Sequence, residues 1–282
     1  MSVLQWDETD PSRAQPRRGA SKRKAGADRK TGAVFERATT DWRSAQNAFQ
    51  PRMRTRIKIC GLSSAEHIDA AVEAGADAIG FVFYPPSVRA LTPARAARLA
   101  ERVPAFVSTV ALFVDASAEA VRAVLEEVRV DVLQFHGSSA YETAAWCTQF
   151  GRPYIKATPV TGPIDVLEFA RSYMNAAALL LDTPSSGHGG SGRRFDWRLI
   201  RQPDPHARPP RDASGLDSSA APVPRLVLSG GLTALNVAEA IASVRPYAVD
   251  VSSGVEVTRG TKSSELIHAF CRAVREADQQ LG

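Results

Sequence analysis

The sequence predicts an α/β protein, a single (β/α)8 TIM barrel that follows a basic N-terminal extension. From Arg56 onward, short apolar runs alternate with Ala-, Leu-, Arg- and Glu-rich stretches that have helical spacing. Eight such runs within about 230 residues match the usual size of that barrel. A doubly wound open sheet is the alternative, but no Gly-rich fingerprint follows the first strand.

The composition is that of a globular protein without a membrane span. Of its 282 residues 44% are apolar, which is ample for a core. No stretch approaches the roughly 18 apolar residues of a membrane helix, and the N-terminus lacks the apolar core of a secretory signal. We therefore expect a cytoplasmic protein. Its three cysteines, Cys60, Cys147 and Cys271, are widely spaced and suit a reducing compartment.

The excess of positive over negative charge comes from the N-terminal residues. Residues 1–52 hold 11 Lys and Arg against 6 Asp and Glu, which accounts for the whole net charge of +5. Their weak apolar periodicity predicts a disordered extension ahead of a domain at 53–282. The run Lys22-Arg23-Lys24 could contact nucleic acid, but we favour a solvated tail or an untranslated segment, because short basic runs often occur by chance. A start at Met53 would leave a complete domain. We expect neither a membrane nor a nucleic acid as partner of the domain.

The predicted strands are apolar runs typical of strands buried on both faces. They span 56–60, 77–83, 106–114, 131–135, 153–157, 177–182, 225–229 and 247–251. Helix starts are indicated by capping boxes of Ser63 with Glu66 and of Ser139 with Glu142, and by Thr92 before Pro93. A segment at about 202–224, rich in Pro and Ser, is too long for an ordinary connection and predicts a flexible insertion at the bottom face.

Cys60 is the most informative residue, since it ends the first strand just before a helix start. Barrels of this kind place their chemistry at that end of the strands. The N-terminal end of a helix also favours a thiolate, so we expect a reactive thiol there. The alternative is a buried structural cysteine, a common environment for this residue type.

Other polar residues follow the predicted strand ends. Asp182 comes after three leucines. An apolar setting there would raise its pKa and suit it to act as a general acid, and the alternative is a buried structural cap. Arg89 suits a carboxylate ligand or a surface position, and His136 suits a ligand or a backbone contact. Glycines after the last two strands, near Gly231 and Gly254, predict a phosphate site rather than plain turns.

Six motifs, in order over residues 56 to about 278, resemble those of the phosphoribosylanthranilate isomerase family of tryptophan biosynthesis. They are Lys58-Ile59-Cys60-Gly61-Leu62, the run 80–89, Gln134-Phe135-His136-Gly137, Gly189-Gly190-Ser191-Gly192 with Phe195-Asp196-Trp197, Ser229-Gly230-Gly231-Leu232, and the run 250–256. The family usually has Pro-Gly-x-Lys-Asp after the eighth strand, where this chain has Arg259-Gly260-Thr261-Lys262-Ser263, and Ser229 stands where Ala is common. Serine can still cap a helix, so only local geometry is affected.

The resemblance implies an Amadori rearrangement without metal or organic cofactor, the third step of tryptophan biosynthesis from chorismate. N-(5-phosphoribosyl)anthranilate would become 1-(2-carboxyphenylamino)-1-deoxyribulose 5-phosphate. By the matching positions Asp182 would be the general acid and Cys60, as thiolate, the general base. Binding of the phosphosugar would involve Arg89 for the anthranilate carboxylate, Gln134 and His136, and for the phosphate Gly230, Gly231, Ser253 and Gly254 with Gly190 nearby.

The family includes monomers and homodimers, and we expect one or the other. An alternative enzyme is another phosphosugar barrel, such as the isomerase of histidine biosynthesis. That chemistry relies on two aspartates at strand ends, whereas the first strand here ends in Cys60. An alternative of a different class is a nucleic-acid-binding protein that acts through residues 1–52.

Overall fold

The computed structural model describes residues 54–138, 140–184, 194–201 and 225–281. The predicted extension at 1–52, the predicted insertion at 202–224 and Gly190 lie outside the described residues. In the described part no helix is both long enough and apolar enough to cross a bilayer.

Eight parallel strands close into a barrel, as the sequence predicts. They are β1 (Arg56–Cys60), β2 (Ala78–Val82), β3 (Ser108–Phe113), β4 (Val132–Phe135), β5 (Tyr154–Pro159), β6 (Ala178–Asp182), β7 (Leu226–Leu228) and β8 (Ala248–Val251). Each strand pairs with the next along the chain, and β1 pairs in parallel with β8 to close the ring. The (β/α)8 architecture is therefore confirmed.

Seven α-helices lie between or after the strands in the described part of the chain. They are α1 (Ala65–Glu73), α2 (Pro93–Ala100), α3 (Ala118–Glu127), α4 (Ala144–Thr148), α5 (Val166–Ser172), α6 (Val237–Val244) and α7 (Ser264–Leu281). After β8 the chain forms a 3-10 turn at Ser253–Val255 and a short hairpin of Glu256–Thr258 with Thr261–Lys262.

Of the three predicted helix starts, the one at Thr92 is correct and the two capping boxes are wrong. Thr92 caps α2 by accepting a hydrogen bond from the Arg95 N–H. Ser263 similarly accepts from the Leu266 N–H at 3.2 Å, so the serine at this departure from the family pattern acts as a cap. The cap of α1 is Ser64 and not Ser63, because the Ser64 side chain meets the His67 N–H.

The predicted capping box of Ser139 with Glu142 is also wrong. Helix α4 starts later, with Thr143 as its cap. Glu142 instead turns inward, where its carboxylate accepts hydrogen bonds from the backbone N–H groups of Asp115 at 3.0 Å and Gly137 at 2.8 Å. Ser139 lies outside the described residues. Glu142 therefore accepts hydrogen bonds from these backbone groups instead of forming a capping box.

Alternating side chains of the strands build two different cores. The odd residues of β1, Ile57 and Ile59, belong to the large apolar layer between barrel and helices. The even residues, Lys58 and Cys60, belong to the other face of the strand, which points into the barrel. Much of the barrel interior is filled by a smaller cluster, Ala157, Ala178, Leu180, Val227 and Ala248. Lys58, a polar side chain on the interior face of β1, is therefore unusual among the apolar residues that fill the barrel.

A fully buried ion pair fixes the connections that follow β3 and β4. Lys156 on β5 donates to a Glu142 carboxylate oxygen at 2.7 Å, and both side chains have 0% exposure. Lys156 also donates to the Gly137 carbonyl at 2.8 Å. Because Glu142 holds two backbone N–H groups at the same time, the pair holds together two segments at the mouth of the barrel.

We expect Lys156→Met to lower the free energy of unfolding by about 3 kcal/mol or more, since it leaves the Glu142 carboxylate buried without its cation. Urea unfolding at pH 7 measures the change. As a matched control, Arg102→Met breaks the exposed pair with Asp69 and is expected to leave stability nearly unchanged. Equal losses in the two variants would contradict the view that the buried pair carries the loop structure.

Candidate active site

One pocket lies at the carboxyl ends of the barrel strands and brings together every predicted site residue within the described part of the chain. Its lining includes Cys60, Arg89, Gln134, His136, Asp182, Gly230, Gly231, Ser253 and Gly254, with Ser229 and Asp250. These residues come from six different strands or the loops that follow them, so only the closed barrel assembles the pocket.

Cys60 reaches the pocket from the end of β1 but is only 4% exposed. Burial raises the pKa of its thiol; nearby Asp250 adds to the rise, and the cation of Lys58 opposes it. The expectation that the helix start would favour the thiolate is therefore wrong, because loss of hydration outweighs the favourable charges. The thiol form dominates at neutral pH.

Lys58 and Asp250 form a buried pair beneath Cys60. Both residues belong to the sequence motifs given above, but neither was predicted to have a role. The two residues are register partners on β1 and β8, and Lys58 Nζ lies 2.8 Å from Asp250 Oδ1. Burial alone would lower the pKa of Lys58, yet Asp250 holds it above its ordinary value. The signal in the sequence was a lysine two residues before Cys60, on the same face of an otherwise apolar strand.

Asp182 ends β6 on another side of the mouth and is 6% exposed. Burial raises the pKa of its carboxyl to about 6, with Asp250 also raising it and the Thr183 N–H, which donates to Oδ1 at 2.7 Å, lowering it. The predicted rise is confirmed. His136 Nε2 lies 3.3 Å from the other carboxylate oxygen, so one predicted ligand residue orients another.

Gly230 lets the turn after β7 lie directly against this acid. Its φ is +89°, and a Cβ there would come within 2.3 Å of Thr183 Oγ1 and 3.0 Å of Asp182 Oδ1. A residue with a side chain would displace the carboxyl group or strain the backbone. Glycine is therefore required here by both conformation and space.

The predicted phosphate turns lie side by side but differ in detail. The 3-10 turn Ser253–Val255 starts at the predicted residue after β8. After β7, in contrast, helix α6 begins only at Val237, several residues beyond Gly231. The turn after β8 therefore offers a helix start to an anion, whereas the turn after β7 offers glycine backbone alone.

Gln134 on β4 offers a polar atom to a ligand. The residue is 1% exposed, and within the described residues its Oε1 atom has no hydrogen-bond partner. A buried amide oxygen usually finds a donor, so a ligand hydroxyl or amine would complete this site.

Arg89 lines the pocket but is already engaged. Its Nε and Nη2 each donate to a carboxylate oxygen of Glu256 at 2.7 Å. Glu256 ends the motif that follows the eighth strand, but no local pattern in the sequence assigns it a role. Arg89 retains further N–H donors, which leaves it able to contact a ligand carboxylate as well.

Comparisons with known proteins agree on one family. The family described as N-(5'phosphoribosyl)anthranilate (PRA) isomerase matches residues 57–273. A curated N-(5'-phosphoribosyl)anthranilate isomerase of Dechloromonas aromatica is 52% identical over 229 residues, 81% of this chain and 100% of the relative.

Solved structures give the same result. The phosphoribosyl anthranilate isomerase of Thermotoga maritima has a TM-score of 0.65 and 38% identity, covering 79% of this chain and 99% of that one. A structure of such an isomerase in complex with reduced 1-(o-carboxyphenylamino)-1-deoxyribulose 5-phosphate has a TM-score of 0.61 and 34% identity, covering 79% of this chain and 99% of that one.

The pKa of Asp182 predicts a pH-dependent gain of stability in Asp182→Asn. The folded state holds this proton more tightly than the unfolded chain, so the associated stability is complete below pH 3.8 and is lost as pH rises through about 6. Asparagine removes that dependence. We expect the variant to gain about 3 kcal/mol in unfolding free energy at pH 8 and little at pH 4, measured by urea unfolding.

Asp69→Asn is the control, because Asp69 is exposed and hydrogen bonding to Arg102 lowers its pKa, the opposite direction. No stabilisation at pH 8 is expected from it. An Asp182→Asn variant that is no more stable than the parent at pH 8 would show that the native carboxyl group titrates normally.

Proposed function

The chain belongs to the N-(5'-phosphoribosyl)anthranilate isomerase family, and on that premise we propose how its strand ends carry out the Amadori rearrangement of N-(5-phosphoribosyl)anthranilate, a step of tryptophan biosynthesis. The proposal rests chiefly on Asp182, a carboxyl group buried at the mouth with its pKa raised to about 6. With that pKa a fraction of the group is still protonated near neutral pH and can donate its proton, which is what opening a sugar ring requires.

In the first step Asp182 donates its proton to the ribose ring oxygen. The bond between this oxygen and C1 breaks, and the nitrogen lone pair forms the C1=N bond of a Schiff base. The ring oxygen leaves as a hydroxyl group and Asp182 becomes a carboxylate. His136, 3.3 Å from Asp182, and the Thr183 N–H keep that carboxylate oriented.

In the second step Cys60, in its less populated thiolate form, removes the proton from C2. The C2–H electron pair forms C1=C2, and the electrons of C1=N return to nitrogen to give an enolamine. This species tautomerises to the C2 ketone, so the overall change is an isomerisation with no atom gained or lost. Exchange with water then takes the proton from Cys60 and returns one to Asp182, which restores both groups for the next turnover. Lys58 supports the thiolate, because its cation is the main charge that lowers the Cys60 pKa.

The remaining site residues hold the substrate between acid and base. Backbone groups around Gly230, Gly231, Ser253 and Gly254 bind the phosphate, and Gly190 stays a prediction because it lies outside the described residues. Gln134 accepts from a sugar hydroxyl, and Arg89 holds the anthranilate carboxylate. Cytoplasmic location and a monomeric or homodimeric state stay predictions of the sequence.

We expect Cys60→Ala and Asp182→Asn each to lower kcat/KM by about 10³-fold or more, because each removes one proton-transfer group. Substrate and product have equal mass, so chromatography measures the conversion, and circular dichroism checks folding. Growth rescue of a tryptophan auxotroph lacking this isomerase, by the full chain and by a version starting at Met53, tests the activity in cells. A folded variant with wild-type turnover would refute the assigned role.

Two further variants should move the alkaline limb of the pH–rate profile in opposite directions. Lys58→Met removes the cation that lowers the Cys60 pKa and shifts the limb to higher pH, whereas Asp250→Asn removes an anion and shifts it to lower pH. The measurement is kcat/KM from pH 5 to 10 in folded protein. Shifts of the same sign in both variants would mean that the limb belongs to another group.

A further inference from the structure

A buried cluster of three charges lies beside the pocket, and the mechanism above uses only one of them. Arg89, Glu256 and Lys262 have side-chain exposures of 8%, 4% and 1%. Lys262 Nζ donates to Glu256 Oε1 at 2.8 Å, the oxygen that also receives the Arg89 Nε–H. Two cations therefore share one carboxylate. Burial lowers the pKa of Lys262 and Glu256 opposes that change, and with the lysine protonated the cluster carries a net charge of +1.

Glu256 holds the Arg89 guanidinium in one orientation. Both of its oxygens accept from Arg89, and a third donor, the Gly260 N–H, fixes Oε2 at 3.0 Å. On the other side, Gly61 lies directly under the arginine stem, since a Cβ there would be 2.6 Å from Arg89 Cδ. A guanidinium confined from both sides presents its remaining N–H groups in a fixed direction.

Lys262 connects this cluster to the rest of the site. Its ammonium also donates to the Ser252 carbonyl at 2.8 Å and to Ser252 Oγ at 3.1 Å. Ser252 Oγ in turn lies 3.1 Å from the Cys60 carbonyl. One buried cation thus links the carboxylate end of the pocket, the strand end that carries Cys60 and the turn that precedes Ser253.

Buried charges are expensive unless they are paired, and a +1 surplus at the wall of a pocket favours an anionic ligand there. Burial alone would raise the pKa of Glu256, but Arg89 and Lys262 lower it to about 2, so the carboxylate stays ionised at working pH. Without Lys262, the Arg89–Glu256 pair would be neutral and would attract a carboxylate far less.

We propose that Glu256 and Lys262 are positioning residues that set specificity for an aryl carboxylate, Glu256 by orienting Arg89 and Lys262 by keeping the cluster net positive. The inference rests on the proposed function, in which Arg89 contacts the anthranilate carboxylate. It adds that this contact depends on two residues that do not line the pocket themselves. The competing view is that the cluster only stabilises the fold.

The test is a comparison of two ligands by titration calorimetry. One is reduced 1-(2-carboxyphenylamino)-1-deoxyribulose 5-phosphate, and the other is the same compound without the ring carboxylate. The ratio of their Kd values measures the preference for the carboxylate. We expect Glu256→Gln and Lys262→Met to lower this preference about tenfold or more, while the Kd of the ligand without carboxylate stays within about twofold.

Glu142→Gln is the matched control, because it breaks an equally buried pair outside the cluster and should leave the preference unchanged. An unchanged preference in both cluster variants would overturn the inference, and so would an equal loss of affinity for both ligands. A stronger preference in Glu256→Gln would show a charge effect without positioning. If Glu256→Gln does not fold, Lys262→Met decides, since it retains the Arg89–Glu256 pair. Failure of the wild type to bind either ligand would instead count against the proposed function.

Discussion

The low-dielectric interior of the barrel controls which groups of this site can carry charge. Lys58 keeps its charge there because it is paired with the Asp250 carboxylate on the adjacent strand. Asp182 has no such cation at contact distance among the described residues other than a histidine, and so it holds its proton more strongly. Cys60 lies between these cases, with burial outweighing the attraction of Lys58. Asp182 and Cys60, the proposed acid and base, are thus distinguished by the charges that surround them and not by residue type alone.

The barrel was predictable because strands buried on both faces give continuous apolar runs, and the eight predicted runs overlap β1 to β8. Local signals were weaker. Thr92 before Pro93 correctly indicated the start of α2. The start of α1 was harder to locate, because Ser63 and Ser64 are adjacent residues of the same type and either could be the cap. The failed box at Glu142 has a different cause, since its carboxylate serves backbone groups of Asp115 and Gly137 that no local pattern reveals.

The site shows the same division between local and long-range information. Glycines and polar residues at strand ends located the pocket, because the fold brings those ends together. The pairs that tune it could not be located in this way: Lys58 and Asp250 are 192 positions apart, and Arg89 and Glu256 are 167 apart. The charge state of Cys60 was likewise misjudged, since a helix start is visible in the sequence but the extent of burial is not.

The parallel pairing of β1 with β8 makes catalysis an all-or-none property of the chain. Lys58 and Cys60 are near the start of the domain, whereas Asp250, Glu256 and Lys262 are in its last 33 residues, about a seventh of the domain. A fragment that stops after β7 has a thiol without its electrostatic environment and an Arg89 without its carboxylate partner. Enzymatic turnover therefore reports that the ring of strands has closed, and two complementary fragments would recover it only by docking along the seam between the first and last strands.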